Sequence, residues 1–161
     1  MSVINIIKSM SDIEDSIPVI NLISKQMEII RGNPDKGRIK RALENALRKE
    51  SKAYLFLSEN DEKEIQGFAF GNICSGLESG ADYFWLNEIF IDKKNRGKGL
   101  ASELIRFIEK WCEVNKLVYF ACVTSKENRQ AQKFFKKAGF DLNETIWVDK
   151  KLIIDSDSRT V

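Results

Sequence analysis

Histidine is absent from this chain, so no His-based triad or dyad can form in it. Cysteine is scarce. Cys74, Cys112 and Cys122 have neither metal-ligand spacing nor a CxxC pair, so no metal is expected. An odd, sparse cysteine count suggests a reduced, intracellular setting. No hydrophobic run approaches membrane-spanning length, and the N-terminus has no signal-peptide pattern, so the expected location is cytoplasmic with no membrane partner. Excess charge is missing too. Twenty-six basic and 24 acidic residues leave a net charge of +2, which gives no bulk attraction to nucleic acid.

What is present suits one α/β domain. The 161 residues are 43% hydrophobic and 31% charged, enough for a single buried core. The most informative stretch runs from Trp85 to Ala101. Trp85 to Ile91 is dense in aromatic and β-branched residues and reads as a central strand. From Leu100 the period changes: Ala101, Leu104, Ile105, Ile108, Trp111 and Cys112 form the stripe of a helix facing a sheet. Gly97 and Gly99 lie between, among Lys93, Lys94, Arg96 and Lys98. Free amides at a helix start, glycines that allow close approach and local positive charge make an anion trap. A basic turn that binds nothing is the plain alternative, since a short Gly-x-Gly is a weak signal.

Elsewhere, Val3–Ile7 reads as an edge strand. A helix over 18–31, near Pro18, carries Val19, Ile23, Met27 and Ile30 on its apolar face and stops at Gly32-Asn33-Pro34. Asp35 can cap a second helix over 35–50, striped by Ile39, Ala42, Leu43, Ala46 and Leu47, with Arg38 on the solvated side. Residues 53–57 and 65–71 read as strands joined by a polar hairpin loop, with Gly67 and Gly71 marking a bulge or bend. Residues 72–82 read as a flexible loop, 117–123 as a strand covered on both faces, and 127–138 as a helix ended by Gly139. Residues 140–142 and 145–154 read as a closing strand pair. One domain over 1–154 and a polar tail over 155–161 result.

Arg96-Gly97-Lys98-Gly99-Leu100-Ala101 resembles the acyl-CoA pyrophosphate loop of the GNAT superfamily of N-acetyltransferases. The pattern there is Gln or Arg, two residues, Gly, one residue, then Gly or Ala. Asn128, Ala131, Phe134, Phe135, Gly139 and Phe140 resemble a second GNAT signature, Asn-x-x-Ala-x-x-Leu-Tyr-x-x-x-Gly-Phe. The element order is similar over nearly the whole chain. The resemblance implies the α/β GNAT fold, a mixed central sheet of about six to seven strands flanked by about four helices.

It also implies acetyl-CoA as co-substrate and a primary amine of a small molecule as acceptor, joined in a ternary complex without a metal. Main-chain groups of Ile89, Phe90 and Ile91 would hold the pantetheine arm; Arg96, Gly97, Lys98, Gly99, Leu100 and Ala101 would hold the pyrophosphate. Asn128 and Phe135 would also touch the cofactor, although Asn128 equally suits a helix cap. Glu88 is the candidate general base, with Asn87 the alternative if the site lies on the other face of the strand. Relatives commonly have a tyrosine at the position of Phe135 as general acid. Here Tyr83, Tyr119 or water would have to protonate the leaving thiolate. Glu78 and Asp82 could attract a cationic amine, or simply be solvated. The alternatives to a small-molecule enzyme are a protein or peptide N-acetyltransferase and a non-catalytic acyl-CoA-binding sensor. Oligomeric state stays open, with a homodimer suggested by the relatives.

Overall fold

Alternating apolar residues build four consecutive antiparallel strands: β1 (Val3–Ile7), β2 (Ala53–Glu59), β3 (Ile65–Gly76) and β4 (Ala81–Ile91). In the computed structural model, which describes residues 2–150 and 152, the chain divides after Ser125 into two compact units. The first unit holds these strands with α1 (Ser16–Ile29), α2 (Lys36–Ala46), α3 (Leu100–Val114) and β5 (Phe120–Cys122). Its sheet has the order β1-β2-β3-β4-β5, and β5 joins β4 in parallel after the α3 crossover. The second unit holds α4 (Arg129–Lys137), capped by Asn128 and followed by Gly139 at φ 92°.

Two apolar layers cover the sheet. On one face Val19, Ile23, Ile39 and Leu43 of α1 and α2 pack with Leu55, Leu57, Phe68 and Phe90. On the other, Trp111 of α3 sits edge-on to Phe56 and Phe84, with ring centroids 5.3 and 5.5 Å away. Leu55, Phe56 and Leu57 are all buried, so β2 is covered on both sides, whereas Val3 and Ile6 leave β1 half-exposed, as an edge strand should be. Asp15 caps α1 and Asp35 caps α2 through their side chains.

The sheet of the described residues has five strands, not six or seven. Residues 140–150 form none. Ile146, Trp147 and Val148 have the side chains of a strand, but they are exposed and form no ladder among the described residues. β propensity supplies half of a strand, and a hydrogen-bonding partner supplies the rest. Lys151, Ile153, Ile154 and the 155–161 tail lie outside the described residues. The 117–123 strand contracts to Phe120–Cys122, which pairs with Phe84 to Leu86 of β4. Residues 72–82 are not a loop. β3 continues to Gly76 and β4 begins at Ala81, with Ser75 Oγ donating to Asp82 Oδ1 across the pair at 2.6 Å. Polar and glycine residues hid a solvated strand end. Ile30 ends α1 as its C-cap and is exposed rather than packed.

Candidate active site

β4 changes partners at its middle. Phe70 pairs with Glu88 and Gly71 with Leu86, which leaves Asn87 as an extra residue: a β-bulge. Gly71 permits it, since a Cβ there would meet the Phe84 ring and the Trp85 carbonyl at 2.4 and 2.5 Å. On the other edge, β5 pairs with Phe84, Trp85 and Leu86 and goes no further. A wedge therefore opens beside β4 from the bulge onward.

The backbone direction inside the wedge follows from the ladder. Asp92 N–H donates to the Gln66 carbonyl at 3.0 Å, so Asp92, Phe90 and Glu88 turn their polar groups toward β3. Ile89 and Ile91 turn theirs outward. Arg96 Nε donates to the outward Ile91 carbonyl at 3.0 Å, and its guanidinium lies 5.4 Å from the Phe90 ring centroid. The basic turn is thereby tied to the end of the strand. Phe90 offers this edge no main chain; its amide faces β3.

Beyond a short 3-10 turn at Lys93–Asn95, Gly97 and Gly99 adopt φ of 77° and 85°. A Cβ at either would touch nothing within 4 Å, so the backbone, not crowding, calls for glycine, and the space over the turn is open. Gly99 is the N-cap of α3 and supplies no side-chain acceptor to the helix amides that follow, at Leu100 and Ala101. Lys98 Nζ lies 3.1 Å from Asn95 Oδ1. Asp92 anchors the turn through Lys25 at 2.7 Å. Burial pushes against its ionisation, but Lys25 and the Lys94 amide outweigh that and hold the carboxyl below its ordinary range.

The bulge also decides where Glu88 points. It shares a face with Phe70, Phe68 and Phe90, toward α1 and α2, while Leu86 faces α3. Strict alternation would have put Leu86 and Glu88 together. Glu88 lines a cavity of about 320 Å³ with Ile23, Met27, Arg38, Leu43, Phe68 and Phe70. Burial raises its carboxyl above the ordinary range, opposed by a hydrogen bond with the Gln26 side chain. Gln26 is buried, and its Oε1 has no partner among the described residues. Sequence reasoning missed Gln26; Arg38, expected on a solvated face, is exposed and also borders the cavity. The available signal was a polar residue beside Met27, inside the apolar stripe of α1.

The other expected site residues are spread more widely. Asn87 is exposed, and its Oδ1 accepts from Asn72 Nδ2 at 2.6 Å. Tyr119 is 58% exposed with its ring 6.1 Å from that of Tyr83. Asp82 is engaged by Ser75 and by Lys52 at 3.4 Å, and Glu78 is exposed in the β3–β4 turn. In the second unit, Asn128 Oδ1 accepts from the Ala131 amide at 3.0 Å, and Phe135 is buried against Phe134 and Phe140.

A bulged strand that parts from its parallel neighbour and runs into a glycine turn at a helix start defines an acyl-transfer class of α/β fold. The chain belongs to the acetyltransferase (GNAT) family, whose family model matches residues 19–140. No curated protein matches it in sequence. Among solved structures it is similar to a possible acetyltransferase from Clostridium difficile 630, at 16% identity and TM-score 0.79, covering 94% of this chain and 99% of that one. It is also similar to ribosomal-protein-alanine N-acetyltransferase from Brucella melitensis biovar Abortus 2308, at 14% identity, TM-score 0.77 and coverage of 94% and 99%. A third is aminoglycoside acetyltransferase meta-AAC0020 from an uncultured soil metagenomic sample, in complex with sisomicin, at 15% identity, TM-score 0.74 and coverage of 95% and 97%. At such identities the likeness is one of fold.

Proposed function

We propose that this chain is an acetyl-CoA-dependent N-acetyltransferase that acetylates a primary amine of a small molecule by direct attack in a ternary complex. The observation that carries this reading is the bulge at Asn87, which leaves outward main chain at Ile89 within one residue of a half-buried carboxylate at Glu88. The open turn fits a pyrophosphate, with Arg96 and Lys98 beside the amides of Gly97 to Ala101. The outward groups of Ile89 and Ile91 suit an extended amide-bearing arm. Asn128 and Phe135 are assigned to the same ligand by the resemblance alone.

Acetyl-CoA supplies the activated thioester. Glu88 takes a proton from the ammonium, and the freed amine attacks the carbonyl carbon. The Ile89 N–H stabilises the oxygen on which negative charge develops. Collapse forms the amide and expels the thiolate, and the proton shed by the amide nitrogen reaches the thiolate through Tyr119 or water. A thiol with pKa of about 8.5 leaves without much assistance, so a phenylalanine at position 135 is tolerable. Cys122, the last paired residue of β5, is no acyl carrier: burial pushes its thiol up to about 11, which keeps it protonated. Asn87 is already engaged by Asn72, which favours Glu88 as the base.

Thiol release from acetyl-CoA across a panel of amines tests the reading. Turnover with one amine class, lost in Glu88→Gln at unchanged acetyl-CoA affinity, supports it. Tight acetyl-CoA binding without turnover on any amine would favour a sensor.

A further inference from the structure

The cavity beneath α1 and α2 has an uneven distribution of charge. Its walls are apolar, from Ile23, Leu43, Phe68 and Phe70. Glu88 is the only acidic residue among the described residues that line it, and Arg38 is the only basic one. The two reach it from opposite sides. Glu88 rises from the floor of the sheet, and Arg38 projects from the first turn of α2, where its backbone amide is already bonded to the Asp35 cap. Among the described residues the Arg38 guanidinium makes no hydrogen bond or ion pair. Next to Glu88, the buried Gln26 side chain is hydrogen-bonded to the Glu88 carboxyl. The floor thus offers a carboxylate for the N–H groups of an amine, and the rim offers a planar cation.

From this we infer that the acceptor is a monoamine whose apolar body ends in a carboxylate, with the amine at Glu88 and the carboxylate on Arg38. The proposal rests on the acetyltransferase reading and narrows its substrate. A polyamine or aminoglycoside would bring a second ammonium to the rim, where it meets a guanidinium rather than an acid. A guanidinium binds a carboxylate through two parallel N–H donors, which fixes orientation as well as charge. The volume, about 320 Å³, is at the small end of ligand pockets, which span about 300–1,000 Å³. One ring or a short branched chain fills it.

Two matched probe sets test the assignment. Para-(aminomethyl)benzoate, benzylamine and para-xylylenediamine share a ring and an aminomethyl group and end in carboxylate, hydrogen and ammonium. Epsilon-aminocaproate, pentylamine and cadaverine repeat the comparison on a flexible chain. Binding to the CoA-saturated protein is measured by calorimetry, and thiol release from acetyl-CoA in parallel. In at least one set, the carboxylate member is expected to bind about tenfold or more tighter than its neutral counterpart, with the diamine weakest. Arg38→Met should collapse the carboxylate-to-neutral ratio to near one, through affinity and KM rather than kcat. A diamine preferred in both sets, a ratio that survives in Arg38→Met, or no binding by either carboxylate member overturns the inference. Carboxylate binding without thiol release leaves the pocket assignment standing and removes the acetyltransferase reading instead.

Discussion

Leu86 and Glu88 stand two residues apart in β4 and face opposite sides of the sheet, because Asn87 between them is the extra residue of the bulge. One inserted position thus sends Leu86 into the α3 core and Glu88 into the cavity under α1 and α2. The same insertion parts β4 from β5. The placement of the proposed base and that of the proposed backbone donor come from a single local irregularity.

Glu88→Gln keeps the shape and removes the proton acceptor. Turnover should fall by about 10²–10⁴-fold, the usual contribution of a general base. In the parent, the acid limb of the kcat profile should lie above the ordinary glutamate value of about 4.3, since burial raises this carboxyl. Steady-state kinetics across pH check both, and an unaltered acid limb in the variant would remove Glu88 from the mechanism.

The same raised carboxyl should cost stability. Folded protein holds the Glu88 proton more tightly than unfolded chain does, so the folded state binds more protons between the unfolded and folded pKa values. This contribution therefore falls as pH rises through that window and stays lost at neutral pH. Thermal unfolding should show Glu88→Gln with a higher Tm than the parent at pH 7, and the difference should shrink toward pH 4. A variant that gains stability while losing turnover would mark a functional strain.

How much of this was legible beforehand depended on what each residue's signal encodes. The Asp35 cap, the α3 stripe and the glycine turn act locally, so their spacing disclosed them, whereas the Asp15 cap of α1 was missed. Glu88 was found as a charge in an apolar strand. Its face was not, because the bulge arises from pairing between β3 and β4 and has no counterpart within β4's own alternation. Residues 145–150 erred in the opposite direction, having strand-like side chains but forming no strand among the described residues. Gln26 and Arg38 matter through what lies across the cavity from them, and a single chain's periodicity does not register a neighbour from another element.

Gly99→Ala should be costly for backbone reasons. Its φ of 85° is left-handed, where an L-residue with a Cβ is strained by about 1–2 kcal/mol. Chemical denaturation should report a loss of that size, and calorimetry should report weaker acetyl-CoA binding as the amides at the start of α3 shift. Gly80→Ala, at a left-handed glycine with the same open space in the β3–β4 turn, is the control for binding.

Asp92→Ala should loosen the basic turn. It removes the 2.7 Å pair with Lys25 and the cap on the Lys94 amide, together worth about 1–2 kcal/mol. Because this carboxyl is held below its ordinary range, its contribution is present above the unfolded pKa of about 3.9 and is lost as pH falls through the lower folded value. The stability gap between parent and variant should accordingly close in strong acid, as unfolding curves at low pH would reveal.

The outward main chain of Ile89 and Ile91 belongs to no particular side chain. Almost any residues that keep a twisted strand and its bulge would present the same amides along that edge. Selection on this edge therefore acts on shape and barely on letters, while the cavity under α1 and α2 is written entirely in side chains. The two sides of β4 are free to drift at different rates. Substitutions in two helices would then rewrite the proposed acceptor pocket and leave the opposite edge almost unread.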